Sequence, residues 1–399
     1  MLRHLSKLIW KRKARNVMLS LEILLAFVVV FAIAALAVRG LQLYNLPIGY
    51  KIDDVWAVSM DPVSREVRFD PDTYDQIKRT LEALPEVRKV SFTNTVPYEM
   101  GTMTTDIAVP GTARRVDTNL LEVSDEFFDV LGIVPERGAT FSRADAGAAA
   151  TPVVINRHLA RDLFGDKDPV GQIYDAAEPR ASSPQPMRVV GLIEDFRKAG
   201  ELAYPTNMTI MRYMAGTAPS SMHAILVKLA PGTPRGFEEI LQRELKMVRK
   251  EWTFQITPLS DARKSMLRTQ TTPVIVFAVI AAFLLTMVAF GLFGVLWQNT
   301  TRRIPEIGLR RAIGASAGDI YRQIIAEQFL LSTVAMGLAL LLLIQLPLTG
   351  TLSDTLNWRV FGGAALLSAL VIYLLSLACS IYPGWRASRL SPTEALHYE

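Results

Sequence analysis

The sequence predicts a membrane protein with four transmembrane α-helices and a large α+β extracytoplasmic domain between the first helix and the second. Three observations carry this. Half of the 399 residues are hydrophobic, mean hydropathy is +0.24 and only 20% are charged, below the quarter usual for soluble domains. Four apolar runs, about Val17–Val38, Pro273–Trp297, Ile325–Leu348 and Val360–Ile381, reach the roughly 20 residues a helix needs to cross a ~30 Å hydrocarbon core. The stretch 39–272 is mixed in polarity and long enough to bury its own core.

Basic residues orient the runs. Arg3, Lys7, Lys11, Arg12, Lys13 and Arg15 precede the first with no acid among them. The loop 298–324 holds Arg302, Arg303, Arg310, Arg311 and Arg322 against Glu306 and Asp319, and Arg386 and Arg389 follow the last run. The third and fourth runs are joined by a short link with almost no positive charge. The positive-inside bias therefore puts the N-terminus (1–16), the loop 298–324 and the tail (382–399) in the cytoplasm. The spans are then 17–38, 273–297, 325–348 and 360–381, with 39–272 outside. The net charge of +5 sits largely at membrane-flanking positions, where anionic lipid headgroups account for it. It points to membrane lipid and not to a nucleic-acid partner.

The first run has a second reading as a secretory signal, since Ala32-x-Ala34 is a cleavage pattern. It exceeds the usual 7–15 apolar residues and Glu22 interrupts it. Retention is favoured because an uncleaved first span balances the topology. Glu22 itself has two readings: an acid inside a membrane is a functional candidate by default, but near the cytoplasmic edge it can snorkel or pair with an arginine.

The outside stretch divides by its periodicities. A strand-like run (Val55–Met60), a helix pattern (Asp72–Leu84, with Asp70-Pro71 as cap and first-turn proline) and an alternating strand (Val87–Asn94) form one half. A strand (Met222–Leu229), an amphipathic helix (Pro234–Arg249) and a strand (Trp252–Pro258) form the other. Together they predict a split βαβ, ferredoxin-like subdomain carrying an inserted β-rich subdomain at about 100–214. In the insertion, Leu120–Ser124 leads into a helix at Asp125–Leu131. A strand (Pro152–Ile155), a helix (Arg157–Phe164), a turn (165–169) and a strand (Met187–Glu194) follow. Ala176–Pro186, rich in proline and serine, reads as a mobile loop. Ser260-Asp261 can cap a helix through Arg263, Met266 and Leu267; it is either a stiff outward continuation of the second span or an interfacial helix end.

Catalytic chemistry finds no support. There is no Gly-x-x-x-x-Gly-Lys-Ser/Thr phosphate loop and no Gly-x-Ser-x-Gly element. The histidines His4, His158, His223 and His397 are scattered and show no metal-ligand spacing. Asp53-Asp54 and Glu194-Asp195 read as surface or turn residues. The single cysteine, Cys379, lies in the last span and reads as a small packing residue; the outside domain has none for disulfides. No cofactor, metal or catalytic residue is expected, and the chain is not read as an enzyme.

The most informative stretch is Arg302–Ile320, basic and set between two spans. Pro305 suits a first helical turn and Glu306 the positive end of its dipole. Leu309, Ala312 and Ile313 fall on one apolar stripe, Arg310 and Arg311 point elsewhere, and Gly314 suits a C-terminal cap. Asp319 can cap the next helix, Ile320–Leu348. Physics alone leaves two readings of this amphipathic helix: floating at the headgroups or docking a protein.

These residues resemble the coupling region of the MacB/FtsX-like ABC transporter permeases, which reads Arg-x-x-Glu-Ile-Gly-x-Arg-x-Ala-x-Gly-Ala followed by Asp-Ile. The matching positions are Arg303, Glu306, Ile307, Gly308, Arg310, Ala312, Gly314, Ala315, Asp319 and Ile320. The C-terminal run Tyr382–Glu399 is similar to the family's closing pattern. Val123–Phe128 with Leu131-Gly132-Ile133, Val153–Asn156, Phe164-Gly165, Asp168–Gly171 and Val189–Ile193 are similar to its MacB-type periplasmic core. The chain departs from the family at Arg302, where an acid is more usual, at Pro305, where a polar residue is, and at Glu22, where a small or apolar one is.

The resemblance implies an inner-membrane permease subunit, dimeric with itself or a homologous permease and docked on a separate ABC ATPase. The ATPase-coupling residues would be Arg303, Glu306, Ile307, Gly308, Arg310, Arg311, Gly314 and Ala315. It implies either efflux of an amphiphile, peptide or lipoprotein towards a periplasmic adaptor and outer-membrane exit duct, or mechanotransmission that activates an outside partner such as a cell-wall hydrolase. A sensor without an ATPase would leave the coupling motif unexplained.

Overall fold

The computed structural model describes residues 13–61, 71–101, 103–145, 147–177, 185–213, 222–350 and 355–389. The chain separates into two compact units, Leu43–Gln270 and Met1–Gln42 with Thr271–Glu399.

Among its described residues the first unit carries eleven strands: β1 (Val55–Asp61), β2 (Val87–Thr93), β3 (Met103–Ala108), β4 (Arg115–Val123), β5 (Arg137–Gly138), β6 (Thr151–Asn156), β7 (Ile173–Ala177), β8 (Gln185–Ile193), β9 (Met208–Arg212), β10 (Ala224–Leu229) and β11 (Thr253–Pro258). Strands β11, β1, β10 and β2 lie side by side, antiparallel throughout. This is the order that two interleaved strand–helix–strand halves produce. The chain's helices include α1 (Lys13–Tyr44), α2 (Pro71–Glu82), α3 (Phe127–Leu131), α4 (Arg157–Phe164) and α5 (Phe237–Val248). Helices α2 and α5 cover one face of the four strands, burying Trp56, Val58, Val90 and Phe254 against Ile77, Leu81, Phe237 and Leu241. The other face is also buried: Val55, Ala57, Ala224 and Leu226 pack on Phe127, Phe196 and Leu259. Burial on both faces is why β1 and β10 read as near-continuous apolar runs and not as alternation.

The insertion is more ordered than its sequence implies. Strands β4, β3, β7, β8, β6 and β9 pair in succession, and β9 pairs back onto β4 in parallel, so the six make a closed circuit. Closure removes exposed strand edges, and its core holds Ile107, Val116, Val153, Ile155, Leu159 and Tyr174. The segment Ala176–Pro186, expected to be a mobile loop, begins and ends in a ladder: Ala176 faces Gln185 and Asp175 faces Pro186. Residues 178–184 lie outside the described residues, as does Asp70.

Helix α6 (Leu259–Arg302) starts directly after β11, one residue before the expected cap, and has 44 residues, about 66 Å at the helical rise. The outward helix and the second apolar run are one element. Helices α7 (Ile304–Ala312), α8 (Ala317–Leu343), α9 (Gln345–Thr349) and α10 (Trp358–Arg389) complete the chain. The third apolar run breaks into α8 and the short α9 instead of forming one helix to Leu348. Among the described residues, four helical segments are long and apolar enough to cross a membrane: Val17–Tyr44, Leu259–Arg302, Ala317–Thr349 and Trp358–Arg389. In their shared core Phe27 and Phe31 of α1 meet Leu292, Ala335, Ala339, Phe361 and Ala364. Cys379 is buried there, and its thiol donates to the Ala289 carbonyl at 3.5 Å.

Candidate functional site

Helix α7 is built as its sequence suggests at the N-terminal end, with Arg303 as its cap residue and Pro305 in its first turn. Proline there costs nothing, because the first amides of a helix have no internal acceptor. Glu306 lies in the same turn. At the other end Gly314 has φ +105, a conformation that glycine adopts freely. Its amide donates to the Arg311 carbonyl, and that of Ala315 to the Arg310 carbonyl.

The helix has two distinct faces. Ile304, Ile307 and Gly308 are buried, with Ile307 packed against Ile320, Ile324 and Ala387. Leu309 and Ile313 are 57% and 79% exposed, and Pro305, Glu306 and Ala312 are exposed beside them. The apolar stripe legible in the sequence is thus the outward face, and the helix is anchored by the isoleucines on the other side.

A polar chain fixes α7 to α8. Arg303 Nη1 meets Glu327 Oε2 at 2.5 Å, Gln323 Nε2 donates to Glu327 Oε1 at 3.0 Å, and Arg310 Nη1 donates to Gln323 Oε1 at 2.7 Å. Arg310 Nη2 closes the chain on Glu306 Oε1 at 2.5 Å. The Arg303–Glu327 pair is mostly buried, so solvent screens it far less than a surface ion pair. Arg311 is partly buried and makes no ion pair among the described residues. Of the expected residues, Arg303, Glu306 and Arg310 therefore share one network. Ile307 and Gly308 form the anchor, and Gly314 and Ala315 form the turn.

That turn ends in a capping box. Ser316 is the cap of α8, its hydroxyl accepting from the Asp319 amide, while Asp319 accepts from the Ser316 amide. Asp319 is the third helical residue and not the cap itself. Three contributors were missed in the sequence: Ser316, Gln323 and Glu327. The Ser-x-x-Asp spacing signals the box, and the four-residue spacing of Gln323 and Glu327 puts both on one face of α8.

Glu22 lies elsewhere in the same unit, against Gly291 of α6. A Cβ built on Gly291 would sit 2.3 Å from Glu22 Oε1. No ion pair to Glu22 occurs among the described residues, and the basic segment 1–12 and the tail 390–399 lie outside them.

Comparison with known proteins places this arrangement. Residues 19–239 match the MacB-like periplasmic core domain and residues 278–392 the FtsX-like permease C-terminal region. Macrolide export ATP-binding/permease protein MacB of Agrobacterium fabrum is 26% identical over 400 residues, covering 97% of this chain and 59% of that protein. The protein of the same name from Escherichia coli K12 is 28% identical over 291 residues, 69% of this chain and 43% of its own. The chain spans about half the length of the curated relatives it matches. Among solved structures, the periplasmic region of MacB from Actinobacillus actinomycetemcomitans aligns with a TM-score of 0.40 and 16% identity, covering 56% of this chain and 97% of that one. With a core-domain match over more than half its length and a permease match over most of the rest, the chain belongs to the MacB/FtsX-like family of ABC transporter permeases.

Proposed function

We propose that this chain couples ATP hydrolysis, performed outside its 399 residues, to movement of its β-rich unit, and that the coupled process is efflux of an amphiphile, peptide or lipoprotein. The loop 298–324 and both termini face the cytoplasm in this reading, where the arginines flanking the spans favour them. An ABC ATPase docks on the outward face of α7, and two permease copies share a pair of ATPases. Periplasmic adaptor and outer-membrane duct receive the substrate. The relatives' names, which join export with ATP binding, support efflux over the mechanical activation of a cell-wall enzyme.

The observation that carries the reading is the division of α7. A helix bound to lipid alone has no use for a rigid mounting, yet α7 is held to α8 by the Arg303–Glu327 ion pair and the Arg310–Gln323 hydrogen bond. Meanwhile Leu309 and Ile313, beside Glu306, are exposed. Exposed apolar side chains rimmed by charge on a fixed scaffold are what a protein contact uses. Displacement of α7 would pass to α8 through the Arg303–Glu327 pair, and the continuous α6 would carry it as a rigid element.

The test is purification of the tagged full chain from its native membranes in mild detergent, with mass spectrometry of what accompanies it. An ATPase with a periplasmic adaptor is expected, whereas an ATPase with a cell-wall enzyme would replace efflux by mechanical activation. Replacing Leu309→Asp and Ile313→Asp should abolish ATPase retention, since each puts a charge into a desolvated contact, while leaving membrane insertion intact. An unchanged complex in that variant would assign α7 to the headgroup region.

A further inference from the structure

The chain enters its β-rich unit through residues 43–50 and leaves it through the first turns of α6, 259–270. One loop, 194–204, between β8 and β9, touches both. Its centre is Arg197, only 2% exposed. Arg197 Nη1 donates to the Leu46 carbonyl at 2.9 Å, Nε to the Ala203 carbonyl at 3.1 Å, and Nη2 to the carbonyls of Ala203 and Glu201. The Arg197 amide donates to the Ile48 carbonyl at 3.0 Å, and its own carbonyl accepts from Tyr50 Oη at 3.3 Å. Between these contacts Gly49 has φ +88, and a Cβ there would lie 1.7 Å from the Asp195 carbonyl oxygen. Only glycine lets the two backbones come so close.

The same loop grips α6. Glu201, 6% exposed, pairs with Arg263. Two turns further along, Gln270 Nε2 donates to the Ala199 carbonyl at 3.1 Å. Phe196 fills the space between, its ring tilted against that of Tyr50 with centroids 5.0 Å apart and packed in the cluster that includes Leu259 and Met266. A third side is closed by Tyr98, whose amide donates to the Lys198 carbonyl and whose ring lies against Gly200. Burial pushes the Tyr98 hydroxyl up to about 12, so it stays neutral beside the charges of Arg197, Lys198, Glu201 and Arg263.

This is a costly way to fill a core. Taking a guanidinium and a carboxylate out of water is unfavourable, and apolar residues of like volume are often as stable or more so. Among the described residues, Glu201 Oε2, Tyr98 Oη and Gln270 Oε1 are moreover buried without a hydrogen-bond partner, which adds to the cost. What the polar contacts supply and apolar packing does not is direction: each ties the loop to one carbonyl of the entering segment or one side chain of the leaving helix.

We infer that the loop 194–204 is a clasp, in which Arg197 and Glu201 are positioning residues that bind the entering segment and the leaving helix into one body, so that a displacement of either reaches the whole β-rich unit. This rests on the proposed coupling for its use, but not for its existence.

The test is hydrogen exchange by mass spectrometry on the full chain in lipid nanodiscs. Glu201→Gln and Arg263→Gln should each speed exchange in both 43–50 and 259–270 by about tenfold, the scale of one lost charge-assisted bond. The ladder amides of β1 and β10 should stay protected, and Glu201→Asp should restore part of the protection. Arg212→Gln, which breaks the Arg212–Asp125 pair elsewhere in the unit, serves as control and should leave both segments unchanged. Faster exchange confined to the loop, equal loosening of the whole unit, or no change would each overturn the clasp. Because no ATPase enters the measurement, its outcome is independent of the coupling reading.

Discussion

Helices α6 and α10 are each long and apolar enough to cross a membrane, and they are opposite in packing. In the most apolar window of α10, 33% of residues are buried; in that of α6, 6% are. The cause lies in side-chain size. Helix α10 meets its neighbours through Ala364, Ser368, Ser376, Ser380 and Gly384, and Ser376 Oγ lies 2.8 Å from Ser332 Oγ of α8. Helix α6 presents Ile275, Phe277, Val279, Ile280, Phe283, Met287 and Phe290 outward. In lipid an apolar side chain gains little by leaving acyl chains for another helix, so association depends on close approach of small residues and on hydrogen bonds between helices. One helix is therefore fixed and the other is nearly bare, although hydropathy alone gives them the same reading.

The contrast is sharpest at Ser376. Ser376→Leu inserts bulk where two hydroxyls touch, and overpacking of this kind costs about 1–3 kcal/mol. Phe283→Leu, on the bare face of α6, should stay within about 0.5 kcal/mol. Thermal unfolding of the detergent-solubilised full chain compares the two, and equal losses would show that the bare face is packed after all.

That prediction also marks what the sequence made legible. Run lengths located the spans, because crossing a bilayer sets a minimum length. The ferredoxin-like half was legible because each strand–helix–strand has its own periodicity. The closed circuit of the insertion was not: the parallel pairing of β9 with β4 joins residues about 90 apart, and no local pattern encodes it. At α7 the turn signals of Pro305 and Gly314 could be read directly. Which side of the helix is anchored could not, since Ile304 and Ile307 are as apolar as Leu309 and Ile313, and only Ile320 and Ala387, distant or around a turn, decide between them. The clasp was invisible for a related reason: Arg197 and Glu201 look like ordinary loop charges until their partners at Leu46 and Arg263 are in place.

A smaller effect is expected at Gly384, which faces α8. A Cβ there would come 3.0 Å from Tyr321 Cδ2, and a ring wedged between helices yields less readily than a flexible chain. Gly384→Ala should lower stability by about 1 kcal/mol. Combining it with Tyr321→Ala should cost less than the sum of the two, since residues in contact are not additive.

A smaller effect than at Gly384 is expected at Gly291, although its contact is tighter. A Cβ would lie 2.3 Å from Glu22 Oε1, but that oxygen ends a flexible side chain, and the approach to Glu22 Cδ is already 3.0 Å. Gly291→Ala should thus be absorbed by a rotation of Glu22 and cost less than about 1 kcal/mol, partly offset by the better helix propensity of alanine. Glu22→Ala should likewise change little beyond packing, and the double variant should cost no more than the sum of the singles, since it removes the side chain that the new methyl meets. If Gly291→Ala instead abolishes activity and Glu22→Ala does the same, while thermal unfolding is unchanged in both, then the carboxyl group is held in place for a purpose. Glu22 would then move from the packing of α1 to the working parts of the protein, and the near-bare α6 would owe one of its few fixed contacts to that acid.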